Sequence, residues 1–472
     1  MNKKILFFVL FLALAVRILS IYLTPVKGWD ETVYANLGYD LKTNPFDYSF
    51  DRLWSDKNLD WPRAGYKAPL LPYSLSIFYL LFGDGNILVD LFIPIIGTLG
   101  ILFLYILLKE MYDEKIAFYS SVLLAFVPLN EIISGRILTD TFVTTLVILS
   151  ILFFWKGFEK KNNKSKVACR FFSALAVLSR YNAIVLPVIF LIYLIVKNRR
   201  LNFLKEKYML ISIAVFFLTL APLFWYGYKN YGTPLGPFIH SSESVTYYGG
   251  VQPWYFYFTY SNIMLFLFSC SFLSLFFILK NKKLRFKRNN ILVSLWFVLF
   301  LLLSIYFPHK EERFILPLVP ALTTLISVGI VRLKYERIVF VFILSLLIFT
   351  TILEFKELVD LSYTQDAFCF LEASNFLKNT EKNSVIITDS SSLVYYYTRK
   401  ETHFFKESFN DNIRLIEDYY TNRPSYVLLS SYESDRKDFK EKLKNSSNFN
   451  LAFSCPLKKD SALVFRWTSH QN

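Results

Sequence analysis

Gly28-Trp29-Asp30-Glu31-Thr32-Val33-Tyr34-Ala35 places two adjacent carboxylates just past an apolar run from Ile5 to Leu23. That run is long enough to cross a bilayer. The acids therefore lie at a membrane surface, where an ionised group needs a partner or a task. Trp29 flanks them at the depth where aromatic belts form. A solvated polar loop would account for the dipeptide alone, since short motifs recur by accident. The rest of the chain decides between the two.

Of the 472 residues, 54% are hydrophobic and 49 are Phe, yet the formal net charge is +15. A soluble chain this apolar could not cover its surface, so lipid is the solvent for most of it. The basic excess does not point to nucleic acid, because it clusters in short loops between apolar runs, the orientation signal of a membrane protein. Met1-Asn2-Lys3-Lys4 opens the first run without a small-residue cleavage site after it, which reads as an uncleaved first span.

Apolar length places spans near 5–23, 86–108, 116–133, 138–155, 168–180, 183–196, 208–226, 256–279, 291–307, 314–331 and 338–354, about 11 in all. Leu70–Phe82 is too short to cross easily and reads as an interfacial or re-entrant helix, bounded by Pro69 and Gly83. Alternate loops carry Lys3/Lys4, Lys109/Lys115, Lys156–Lys166, Lys197–Lys207, Lys280–Arg288 and Arg332–Arg337, and belong on the cytoplasmic side. The opposite loops are 24–69, 134–137, 181–182, 227–255 and 308–313; the first balances its cations with Asp40, Asp47, Asp51, Asp56 and Asp60. The expectation is a multi-pass protein of the cell (plasma) membrane, N-terminus cytoplasmic and C-terminus extracytoplasmic.

Residues 1–355 form the expected membrane domain and 356–472 a small extracytoplasmic α/β domain. In the latter, Ser384–Thr388, Leu393–Tyr397, Tyr426–Ser430 and Ala462–Arg466 read as strands, and 365–379, 409–420 and 432–445 as helices. That alternation predicts a largely parallel sheet. Cys369 and Cys455 both fall there and either pair in an oxidising space or remain two buried thiols.

Unusual polar residues near span ends all fall on the outer side. Arg136-Ile137-Leu138-Thr139-Asp140 opens the fourth span, Arg180 ends the fifth, and Pro308-His309-Lys310-Glu311-Glu312-Arg313-Phe314 joins the ninth and tenth. Lys67-Ala68-Pro69-Leu70 closes the first outer loop. Each has an ordinary reading, such as Arg136 snorkelling, Asp140 capping a helix or 309–313 a solvated turn; their convergence favours one pocket. Outer-side cations suit a lipid phosphate leaving group. Carboxylates beside them can take a proton from an acceptor hydroxyl or hold a divalent ion. No glycine-rich phosphate loop precedes a helix, so a nucleotide donor has no visible cradle.

These motifs resemble those of the GT-C membrane glycosyltransferases, the superfamily of protein O-mannosyltransferases and the aminoarabinose transferase of lipid A. Asp30-Glu31 with Tyr34 resembles their first-loop acidic motif, and Lys67-Ala68-Pro69-Leu70 their Lys/His-Pro-Pro-Leu, with Ala68 in place of the first proline. Arg136–Thr141 resembles the second acidic motif and Leu178-Ser179-Arg180-Tyr181 a later Leu-Thr-Lys-Tyr step. His309–Phe314 is similar to the His-Lys-Glu-x-Arg-Phe of dolichol-phosphate-mannose-using mannosyltransferases. The resemblance implies an inverting transfer of a sugar, mannose foremost, from a polyprenyl-phosphate to a protein or glycolipid acceptor outside the cytoplasm. It makes Asp30, Glu31 and Asp140 the catalytic carboxylates, with Asp30 and Asp140 as candidate ligands for Mg or Mn. It assigns His309, Lys310, Arg313, Arg136, Arg180 and Lys67 to the donor phosphate, with Glu311 orienting them. Tyr34, Trp254 and Tyr247 would line a substrate loop, although the aromatics of 227–255 suit an interfacial belt equally.

A flippase of lipid-linked sugars would place ionisable groups near mid-membrane and show internal repeats, neither of which is evident. A ligase using polyprenyl-diphosphate-linked glycan would favour a long basic outer loop, and 227–255 is not rich in Lys or Arg.

Overall fold

The computed structural model describes residues 3–24, 26–49, 64–198, 205–285, 287–405, 408–419, 423–432, 437–458 and 461–468. Asp51, Asp56 and Asp60 lie outside them. Contacts divide the chain into two units: one of Met1–Ile21, Gly65–Leu71 and Gly85–Phe355, the other of Tyr22–Ala64, Pro72–Asp84 and Lys356–Asn472.

Among the described residues, nine helices are long and apolar enough to cross a membrane. The third expected span is instead a pair, Glu114–Ala125 and Pro128–Ser134, bent by 62°. Pro128 at the start of the second piece has no N–H for the ladder and holds Val127 extended (φ −67°, ψ 120°). The fifth is Asn163–Ser179, 17 residues that carry Lys164, Lys166 and Arg170. Leu70–Phe82 forms a helix of 13 residues. With no hydrophobic drive between helices in lipid, close approach depends on small residues. A Cβ on Gly97 would lie 2.9 Å from Thr141 Cγ2, and one on Gly100 2.5 Å from Thr145 Oγ1, so the helices Phe92–Met111 and Thr139–Phe158 meet nearly backbone to backbone.

The first run hides a charge whose importance the sequence reading passed over. Arg17 is fully buried and pairs with Glu131 at 3.0 Å, and Arg17 Nη1 also donates to Ala13 O. Beside it a Cβ on Gly135 would fall 1.6 Å from Ser20 Oγ. The first helix is thereby locked to the bend that leads into Asp140.

Among the described residues of the second unit five strands, β1 (Val385–Thr388), β2 (Glu401–His403), β3 (Ser425–Ser430), β4 (Phe449–Ser454) and β5 (Ala462–Trp467), form one sheet in the order β2-β1-β3-β5-β4. The pairs β1–β2 and β1–β3 are parallel, and β3–β5 and β4–β5 antiparallel, so the sheet is mixed rather than largely parallel. Leu393–Tyr397, expected as a strand, lies in the helix Ser391–Thr398. Parallel neighbours need a crossover, and this helix supplies it between β1 and β2. Its near-complete burial removes the period that separates helix from strand in a short apolar run. The helix Gln365–Lys378 buries Ala367, Phe370 and Leu377 on one side of the sheet, where Cys369 and Cys455 are joined in a disulfide. The expected outer loop also contains a 15-residue helix, Trp29–Thr43.

Two tests follow, one from the buried Arg17–Glu131 pair and one from half-buried carboxylates of the second unit. Arg17→Met strands Glu131 in the protein interior and should cost about 3 kcal/mol; adding Glu131→Met should recover most of that loss, read by thermal unfolding in detergent. In the second unit, Lys458, Ser461 and Ser431 hold the Asp366 carboxyl at about 2, and His403 and Arg423 hold Glu401 at about 2. Both values are depressed on folding, so their stabilisation is complete above the ordinary carboxylate range and is lost as pH falls through it toward 2. Asp366→Asn should flatten the acid-unfolding curve in that window.

Candidate active site

Asp140 sits in the first turn of Thr139–Phe158, where the helix dipole favours a carboxylate. It is 1% exposed, a position that demands a cation. Arg180 provides it. The helix Asn163–Ser179 stops because Arg180 is extended (φ −159°, ψ 123°), and a 3-10 turn, Tyr181–Ile184, follows. The break brings the Arg180 guanidinium into an ion pair with Asp140 and 4.2 Å above the ring of Phe314.

Phe314 belongs to the 3-10 segment Glu312–Leu318 and meets His309 edge to face at 5.6 Å. Glu311 holds both neighbouring bases: Oε1 lies 3.1 Å from His309 Nε2, and Oε2 accepts from Arg313 Nε at 2.6 Å. Its carboxylate thereby fixes the directions of both side chains. Lys310 points elsewhere. Its ammonium donates to the carbonyls of Phe307 (2.7 Å), Gln252 (3.1 Å) and Pro308 (3.4 Å). Burial lowers its pKa, and Gln252 N–H donates to Pro308 O alongside. With three donors on three carbonyls, Lys310 fastens the segment before Pro253 to the 307–310 turn instead of presenting a charge to a ligand.

Arg180, Asn182 and His309 line a cavity of about 240 Å³ together with Phe238, Ser241, Tyr257, Leu303, Phe307 and Phe314. One part is cationic and hydrogen-bonding, the rest aromatic and aliphatic, which suits an amphiphilic anion. Lys67 is half-buried, its Nζ 5.6 Å from the Tyr66 ring centre. Tyr181 OH donates to Gly65 O (2.7 Å) and contacts Lys67 O (3.4 Å), so the residue next to Arg180 is tied to the Lys67 turn. Arg136 is half-buried in the turn before Asp140.

Among the described residues the 227–255 segment reaches the cavity through Phe238, Ser241 and Ser242. Trp254 is 66% exposed, and the Tyr247 side chain lies outside the described residues. Tyr257 and Phe238 carried no signal beyond the general abundance of aromatics. Asp30, Glu31 and Tyr34 belong to the second unit. Asp30 is half-buried in the first turn of Trp29–Thr43, Glu31 accepts the Gly28 N–H at 2.7 Å, and Tyr34 is buried. Glu31 thus caps its own helix. Among the described residues no three His, Cys, Asp or Glu side chains gather as a metal-binding group.

A sequence profile of the Alg9-like mannosyltransferase family matches residues 66–403, well over half the chain. No curated protein matches the sequence. In fold the chain is similar to ArnT from Cupriavidus metallidurans bound to undecaprenyl phosphate, at TM-score 0.76 and 14% identity over 100% of this chain and 99% of that one. It is similar also to the Archaeoglobus fulgidus oligosaccharyltransferase tethered with an acceptor peptide, at TM-score 0.61 and 14% identity over 91% of this chain and 69% of that one. A third likeness is to AglB from the same organism in complex with an inhibitory peptide and a dolichol-phosphate, at 0.56 and 14% over 89% and 68%.

The opposed settings of two sequence neighbours make a test. Lys310→Met leaves three carbonyls without their donor and should cost about 1–3 kcal/mol, with faster proteolysis around residues 250–255. His309→Ala should leave the unfolding temperature nearly unchanged.

Proposed function

We propose, since the chain belongs to the Alg9-like mannosyltransferase family, that it moves a hexose, mannose foremost, from a polyprenyl-phosphate donor to an acceptor on the extracytoplasmic face of the cell membrane. The carrying observation is the cavity that sets Arg180, paired to Asp140, and His309 against an aromatic and aliphatic wall. A lipid phosphate has that same division, an anionic head on an apolar chain. The likeness to proteins solved with undecaprenyl phosphate and with dolichol-phosphate supports the choice of donor. The Cys369–Cys455 disulfide supports an oxidising, extracytoplasmic setting for the C-terminal residues.

In the proposed reaction the acceptor hydroxyl oxygen bonds to the anomeric carbon as the bond from that carbon to the phosphate oxygen breaks. The electron pair leaves on the lipid phosphate, and the single displacement inverts the centre. Arg180 and His309 stabilise the charge that grows there, with Arg136, Arg313 and Lys67 as further outer cations. Asp140 holds Arg180 in place. Asp30 takes the acceptor's proton, as the resemblance of its motif implies, and Glu31 supports it by capping the helix start. Asp30 and Asp140 belong to different units, and Asp140 is taken up by Arg180; turnover in EDTA, with and without added Mg or Mn, tests whether the transfer needs a divalent ion. The acceptor is a protein or a glycolipid.

The experiment is release of polyprenyl phosphate by purified protein from polyprenyl-phosphate-mannose and -glucose, in membranes with mixed acceptors. Wild type should exceed Asp30→Asn by at least ~100-fold, while Arg180→Gln and His309→Ala raise the donor KM by about ten-fold or more. Equal rates for wild type and Asp30→Asn would remove Asp30 from the chemistry. No release from any donor, with translocation of the lipid in sealed vesicles, would make the protein a flippase.

A further inference from the structure

Arg399 is one of two non-glycine residues with positive φ (56°) among the described residues. It ends the helix Ser391–Thr398, a position where glycine costs least. An arginine there forgoes that ease, so what its side chain does is the point of interest. Its Nη1 donates to Asn36 Oδ1 at 2.9 Å and its Nη2 to Tyr79 OH at 3.2 Å. The guanidinium carbon also lies 4.2 Å from the ring centre of Tyr39 and 5.2 Å from that of Tyr396.

The same crossover helix holds the acidic-motif helix by further fixed contacts. Asn36, fully buried, donates from Nδ2 to Ser392 O at 2.8 Å; Ser392 Oγ meets Thr32 Oγ1 at 2.9 Å; Tyr395 OH donates to Asp40 Oδ1 at 2.6 Å. Thr32, Asn36 and Asp40 recur every four residues and form one stripe. Asp30, two residues before Thr32, lies about 200° round the helix from that stripe. An apolar contact would tolerate a slip or a rotation. Directional bonds from buried partners set both.

We propose that the crossover helix of the sheet is the positioning device for the helix Trp29–Thr43, with Arg399 as its central positioning residue. It fixes the rotation and height at which Asp30 is presented. The inference rests on the reading of Asp30 as the proton acceptor. It gives the C-terminal residues a task in the transfer that needs no ligand of their own.

The test combines kinetics with hydrogen exchange on full-length protein. R399A should lower kcat by ~10–100-fold, leave the donor KM within two-fold, and speed amide exchange across residues 29–43. R399K, which keeps the charge but not the fork, should fall between. An oxidised T32C/S392C crosslink, bridging atoms that are 2.9 Å apart in the native pair, should restore both the protection and the kcat of R399A. If R399A does not fold, N36A, which removes the same acceptor, carries the same expectation. Unchanged exchange in R399A would overturn the clamp. Lost protection with unchanged kcat, or a formed crosslink that fails to restore kcat, would overturn the positioning role. A wild type inactive on every donor would instead fail the transfer reading, and exchange alone would then decide the clamp.

Discussion

The Asp140–Arg180 ion pair is the contact on which the rest of the membrane unit is arranged. A carboxylate 1% exposed at a helix start is tolerable only with a cation beside it. To supply one, the helix ending at Ser179 must stop within reach, and it does so by putting Arg180 in extended backbone. Chain breaks in a membrane leave backbone groups that need cover. Here the cover is local: the 3-10 turns at Tyr181–Ile184 and Glu312–Leu318 keep short-range bonds while redirecting the chain. The same turns leave Arg180 and Phe314 facing each other. The irregular backbone is therefore where Arg180 and His309 reach the cavity.

A second buried pair, Arg17 with Glu131, acts behind the first. It joins the first helix to the bent segment at Pro128, which leads through Gly135 to Asp140. A bend alone would let the following helix start wander. The pair and the close seat of Ser20 on Gly135 hold it in place.

Much of this was legible. The apolar runs, the strands at 385–388, 425–430 and 462–467, and the grouping of Arg180 with Asp140 and of Glu311 with His309 all follow from length, period and motif. What was lost had a physical cause in each case. Arg17 disappears inside a run whose average is strongly apolar, because a hydropathy window does not ask what one residue pairs with. Leu393–Tyr397 reads as strand because a helix buried nearly all round has no polar face to reveal its period. The helix Trp29–Thr43 has a mixed composition, and its hold comes from Ser392 and Arg399, more than 350 residues away in the chain.

Lys310 and His309 show where motif reading stops. Both are cationic residue types in one short turn, and the motif assigns both to the donor phosphate. Which one meets a ligand depends on the direction each side chain leaves the turn. The turn puts Phe307 O and Pro308 O on the side of Lys310, and Gln252 O completes the set. An ammonium with three rotatable donors fits such a cluster of carbonyls, which a planar imidazole could not satisfy. The lysine is thus consumed in holding the turn closed. That closure in turn keeps His309 against Phe314 and at the cavity wall. The two residues serve one site through opposite relations to it.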